Sequence, residues 1–196
     1  MPDQMNSAKF LQRAFLSIAL LLSASCSSTR QEYYALRAAE SASVYRAGGI
    51  SVGIGRISLP SYIDRAELVF QSGKNQFEVP TNARWVGALP DNIAHVLADD
   101  LRRILHVVDA PIYPWPPEAS PRYVVIADIQ QFHGISGSDA ILEVSWRIEA
   151  SGKIIVRRYS TLREPIVGDG YAAVVEAESE LLARFAETIA RLFPEH

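Results

Sequence analysis

The run Ala140-Ile-Leu-Glu-Val-Ser-Trp-Arg-Ile148, with the turn Ala150-Ser-Gly152 and then Lys153-Ile-Ile-Val-Arg-Arg-Tyr159, decides the fold class of this 196-residue chain. Apolar and polar residues alternate along the first run, the period of a half-buried strand. Gly152 suits a tight turn, so the two runs predict a β-hairpin. Tyr123-Val-Val-Ile-Ala-Asp-Ile129 reads as a third strand, joined to the hairpin through Gly134 to Gly137. A doubly wound parallel sheet would give continuous apolar runs, so the alternation favours antiparallel neighbours.

The flanking periodicities complete the outline. From Leu89 to Leu105, apolar residues Ile93, Val96, Leu97, Leu101, Ile104 and Leu105 recur at helical steps, with Pro90 suited to the first helical position. A second helix is predicted over Tyr171 to Phe193, with Val174, Leu181, Leu182, Phe185, Ile189 and Leu192 inward. Upstream, Ile50 to Leu59 alternates and then slips in phase, so Gly53 or Gly55 marks a bulge. Glu67–Gln71 and Gln76–Val79 flank Ser72–Asn75 as a hairpin with a four-residue loop, and Gln31–Leu36 is a short strand. Ala38 to Gly49 reads as a loop, and Pro111 to Pro121 cannot be regular structure. Strands broken by only two helices predict an α+β fold: a mixed, mostly antiparallel sheet with both helices on one face.

Ahead of this single domain, Lys9 and Arg13 precede the apolar run Ala14 to Ala24, which has the length of a signal-peptide core. Small residues follow, and then Cys26, the only cysteine in the chain. The expected organisation is a signal peptide over 1–25, an acylated cysteine with a short tether over 26–30, and the α+β domain over 31–196. Thioether-linked diacylglycerol and further acyl chains such as palmitate would then hold the mature chain on a membrane. Secretion with an incidental free thiol, or an uncleaved anchor, are the other readings of the same residues. Ser27 after the cysteine, rather than Asp, favours the outer membrane under the Gram-negative sorting rule.

Composition narrows the function classes. The chain is 48% hydrophobic and 21% charged, which fits a folded domain, and its net charge of -3 argues against a nucleic-acid partner. One cysteine excludes CxxC redox or zinc chemistry. His95 and His106 stand eleven residues apart on one predicted helix, about 16 Å, too far to share a metal. Gly53-x-Gly55 lacks the third glycine and the following helix of a dinucleotide loop. Asp99 and Asp100 with Arg103, and Glu176, Glu178 and Glu180, are expected on solvated helix faces. No catalytic constellation, cofactor site or metal site is expected.

Two loops combine an aromatic ring with arginine, the composition of protein interfaces: Tyr62 with Arg65, and Arg84 with Trp85. The alternative is that Trp85 caps the core and Arg84 is solvated. Tyr113-Pro-Trp115 either packs on the sheet or meets a partner.

These loops carry a resemblance. Tyr33-Tyr34-x-Leu36, Val52 to Arg65 through Leu-Pro-Ser-Tyr-Ile-Asp, Arg84-Trp85, Asp91-Asn-Ile93 and Tyr113-Pro-Trp115 together resemble the PqiC-like, ABC-type transport auxiliary lipoproteins. The likeness covers nearly the whole mature chain. It departs at Val86-Gly87-Ala88, where a small-acidic pair is expected, and at Ser23, where a lipobox usually has an aliphatic residue.

The resemblance implies a role rather than a reaction: a non-catalytic lipoprotein on the periplasmic face of the outer membrane. It implies a ring-forming homo-oligomer that docks a mammalian-cell-entry (MCE) domain protein carrying lipid, with Tyr62, Arg65, Arg84 and Trp85 as the interface candidates. A structural or assembly lipoprotein that binds an outer-membrane protein without moving lipid is the second hypothesis. A periplasmic enzyme is the third.

Overall fold

The computed structural model describes residues 30–39 and 50–193; the signal segment, Cys26 and most of the predicted Ala38–Gly49 loop lie outside the described residues. In chain order the elements are β1 (Glu32–Tyr34), β2 (Val52–Ser58), β3 (Phe70–Gly73), β4 (Gln76–Glu78), β5 (Ala83–Trp85), α1 (Leu89–Ile104), β6 (Tyr123–Ile135), β7 (Asp139–Ala150), β8 (Lys153–Pro165) and α2 (Gly170–Ala190).

The meander β6–β7–β8 forms as expected, but its strands are longer than the periodicity predicts. A register shift between Ile129 and Gln131 interrupts the alternation of β6, which then continues to Ile135. Gly134 is therefore not the start of the turn: it sits inside β6 opposite Ala140, where an added Cβ would stand 2.6 Å from Val174 Cγ1. Every described pair of β7 with β6 uses one edge of β6, so its other edge takes β2 along Tyr123–Asp128 and β3 at Gly134–Ile135, both parallel. The sheet order is β4-β3-β6-β7-β8 with β2 beside β6, a mixed sheet in an α+β domain.

The phase slip in β2 is the predicted irregularity, a register shift between Ile54 and Ile57. Gly53 lies under the proline-rich passage, with Pro121 Cγ 2.6 Å and the Pro111 carbonyl 3.0 Å from where a Cβ would be. That passage packs along β2, through Ile54 N–H to Pro111 O and Tyr113 N–H to Ile54 O, both 2.8 Å. Gly53→Ala is expected to lower stability by about 1–3 kcal/mol through overpacking. Its urea midpoint should fall at unchanged m-value; an unaltered midpoint would show that the prolines move aside freely.

The β3–β4 hairpin is tighter than predicted. Gly73 pairs with Gln76, leaving a two-residue Lys74-Asn75 turn, and Glu67 bridges Arg84 instead of opening β3.

Val125, Ala127 and Ile129 of β6 and Leu142, Val144, Trp146 and Ile148 of β7 face the helices and are buried. Trp146 meets Phe185 of α2 edge-on at 5.6 Å. Both helices share this one core with the sheet. α2 ends at Ala190, so Leu192 falls out of helical phase and is 40% exposed, while Phe193 turns in against Tyr123 at 5.3 Å.

Two carboxylates depart from expectation. Glu178 is one turn from both Val174 and Leu182, on the inward stripe of α2, and is buried rather than solvated. Asp100 lies between Val96 and Ile104 on the inward stripe of α1, whereas Asp99 is exposed. Its Oδ1 accepts the Ala39 N–H and an Arg103 Nη2–H, each at 3.1 Å, and Arg103 also donates to the Ala39 carbonyl. The Arg37 N–H donates to Ser179 Oγ at 3.2 Å, so residues 36–39 are strapped to both helices. Burial raises the Asp100 pKa to about 6, against the opposing pull of Arg103 and the Ala39 N–H. No described helix is long and apolar enough to cross a membrane.

Candidate partner interface

The chain entering from the N-terminus forms a small parallel ladder, Glu32↔Ala83, Tyr33↔Arg84 and Tyr34↔Trp85. Backbone bonds fix it on three sides: Glu32 N–H to Asn82 O at 2.7 Å, Trp85 N–H to Ala66 O at 2.8 Å, and Val86 N–H to Tyr34 O at 2.8 Å. Strand alternation then sorts the side chains. Ala83 and Trp85 turn into the core, while Tyr33, 64% exposed, and Arg84 point out. Tyr34 is held inward by rings: it meets Tyr171 edge-on at 6.2 Å, and Tyr171 stacks on Phe70 at 5.2 Å. The Tyr34 hydroxyl donates to the Glu32 carboxylate, which raises its pKa to about 12, with burial adding to the effect.

Glu67 extends the outward row, because its backbone bridges Arg84. One carboxylate oxygen takes Arg65 Nε at 3.1 Å and the other Arg84 Nη2 at 3.2 Å. The Arg65 bond, helped by the Glu67 backbone N–H and by Arg84, holds this carboxyl below the ordinary range. Two guanidinium groups on one carboxylate leave the row with a surplus positive charge beside an exposed phenol. Arg65 and Arg84, distant in sequence, thus belong to one site.

Tyr62 belongs to another cluster. Its hydroxyl donates to the Gln130 carbonyl at 3.2 Å, and its ring lies 5.2 Å from Phe77 and 6.1 Å from His133. Phe77 meets His133 edge-on at 5.2 Å. Burial lowers the His133 pKa, so the imidazole is neutral under this aromatic lid. His133 pairs across with Ile141, on the sheet face away from the helices. Burial, with the Glu143 charge, likewise raises the Tyr62 pKa.

The sequence did not single out Tyr33, Glu67 or Phe77 as interface residues. The signal for Tyr33 and Glu67 is the alternation of Ala83-Arg-Trp85: once Trp85 is inward, its neighbour and that neighbour's ladder partners are outward. Phe77 has no comparable signal. Among the described residues no group of three or more His, Cys, Asp or Glu side chains could hold a metal ion.

Comparison with known proteins gives a concordant picture. The family model described as ABC-type transport auxiliary lipoprotein component matches residues 34–190. Among solved structures, one described as an uncharacterized protein is 19% identical, covers 83% of this chain and 98% of its own, and superposes with a TM-score of 0.69. Protein XCC0632 from Xanthomonas campestris, of the DUF330 family, is 14% identical, covers 81% of this chain and 92% of its own, and has a TM-score of 0.68. At these identities the structures establish a shared fold. No curated protein sequence matches the chain.

Proposed function

This chain belongs to the ABC-type transport auxiliary lipoprotein family, and on that premise we propose that it is a non-catalytic docking lipoprotein. In this reading acyl chains on Cys26 hold it to the periplasmic face of the outer membrane. There it assembles as a homo-oligomeric ring and receives the MCE-domain protein of a lipid-transport system.

The observation that supports the reading is the outward row Tyr33, Arg84, Glu67 and Arg65. Six residue steps separate Cys26 from Glu32, a reach of at most about 20 Å. An acylated chain therefore carries this row close to the bilayer surface, where neighbouring copies share one plane and their effective concentration is high. Exposed tyrosine and arginine are the residues enriched where proteins meet. Arg65 and Arg84 contribute directly to the proposed surface, Tyr62 from the adjoining cluster, and Trp85 by bracing the strand from inside.

Purification of the acylated chain from a neutral-detergent extract tests the proposal. Wild type should recover an MCE-domain protein in an assembly larger than one copy. Arg65→Glu, which sets a second carboxylate against Glu67, should reduce recovery about tenfold while the unfolding midpoint stays within about 2 °C. Recovery of only a β-barrel or assembly factor would replace the transport role with that of an assembly lipoprotein. Unchanged recovery and size in the variant would remove the row as the interface.

A further inference from the structure

The face of the sheet opposite the helices carries an arrangement that folding alone disfavours. Trp146 and Ile148 point toward the helices, so Arg147 between them projects from the other face. Arg157 of β8 is its direct partner across the antiparallel ladder. Side chains so placed have Cβ atoms about 4.5–5.5 Å apart, and like charges there destabilise the sheet. Arg147 is partly compensated by Glu149, Nε to Oε1 at 2.7 Å. Arg157 makes no ion pair among the described residues. The adjoining row on the same face is Asp128, Ser145 and Tyr159. Together with Arg158 at the strand edge, these residues line an open depression of about 550 Å³.

We propose that this depression binds a singly charged phosphodiester through the guanidinium groups of Arg147 and Arg157. An anion between the two converts their repulsion into attraction. Two guanidiniums offer donors enough to bind both non-bridging oxygens of a phosphodiester. The charge balance selects the monoanion. Asp128, Glu149 and Glu143, whose carboxylate accepts the Tyr159 hydroxyl, flank the two arginines, so a second negative charge on the ligand is disfavoured. The chemistry is shared by a soluble phosphodiester and by a phospholipid headgroup. The site involves none of the Arg65–Glu67–Arg84 row, so it stands or falls independently of the docking role.

The test uses the acylated chain in neutral-detergent micelles, titrated with diethyl phosphate and, separately, doped with phosphatidylglycerol or phosphatidylcholine. Diethyl phosphate should shift the backbone amides of Arg147, Arg157 and Tyr159 saturably and raise the unfolding midpoint. Arg157→Gln should weaken that binding at least fivefold, yet raise the midpoint of the ligand-free protein by about 1–3 °C as the repulsion is relieved. Arg122→Gln, which removes the same charge outside the depression, should leave the affinity unchanged. A response to phosphatidylglycerol but not phosphatidylcholine identifies a lipid headgroup as the source; a response to diethyl phosphate alone identifies a soluble ligand. No saturable shift with either probe, or equal weakening in Arg122→Gln, overturns the proposal.

Discussion

Glu178→Gln is expected to raise the stability of the folded chain at pH 8 by roughly 2–4 kcal/mol and to flatten its decline between pH 6.5 and 8. Glu178 is 2% exposed, and one carboxylate oxygen has no hydrogen-bond partner. Burial raises its pKa from the ordinary 4.5 to about 8, and the Gly134 N–H is the one group that favours the charged form. Between those two values the folded chain holds the proton and the unfolded chain has lost it. Unfolding then releases a proton, so stability falls as pH rises, by about 1.4 kcal/mol per pH unit. Glutamine keeps the shape and cannot ionise.

Two other buried groups set the window in which this is seen cleanly. Asp100 has the same sign, but its contribution is spent once pH passes about 6. His133 has the opposite sign: its lowered pKa makes stability rise with pH up to its unfolded value of 6.5 and adds nothing beyond. From pH 6.5 to 8, Glu178 is left as the main buried titration. Urea unfolding at half-unit steps across that range should show a falling wild-type curve and a nearly level Glu178→Gln curve. Parallel curves would mean that Glu178 ionises freely in the folded chain.

The architecture was legible because its longest elements are strongly periodic. The alternation in Ala140–Ile148 and the helical spacing in Leu89–Leu105 identified the sheet and the first helix, and the phase slip in β2 located its irregularity. What stayed hidden has physical causes. A register shift conceals the second half of β6, since periodicity cannot be followed across an extra residue. Asp100 and Glu178 sit at inward helical positions, but charge argued for solvent; that conflict between pattern and polarity was itself the signal. In the candidate interface, composition brought out Arg65 and Arg84 separately. Their union on Glu67 is a tertiary fact, created by a strand pairing between residues 17 positions apart.

The same ladder yields the sharpest contrast between neighbours. Trp85→Ala is expected to lower stability by about 3–5 kcal/mol, the range for deleting a buried aromatic side chain. Trp85 is 6% exposed and belongs to the core shared by sheet and helices. Arg84→Ala, one position away, should cost less than about 1 kcal/mol, since it removes a half-exposed ion pair to a carboxylate that Arg65 still holds. The effects on partner recovery should be ordered the other way. At 4 °C and at concentrations where both variants are folded, Trp85→Ala should retain binding, because its ring offers a partner little surface. Arg84→Ala should lose binding, because it vacates the centre of the outward row. Urea midpoints measured beside recovery separate the two effects. Loss of recovery in folded Trp85→Ala with retention in Arg84→Ala would place the contact on the inner side of the strand, and the docking surface would have to be sought elsewhere.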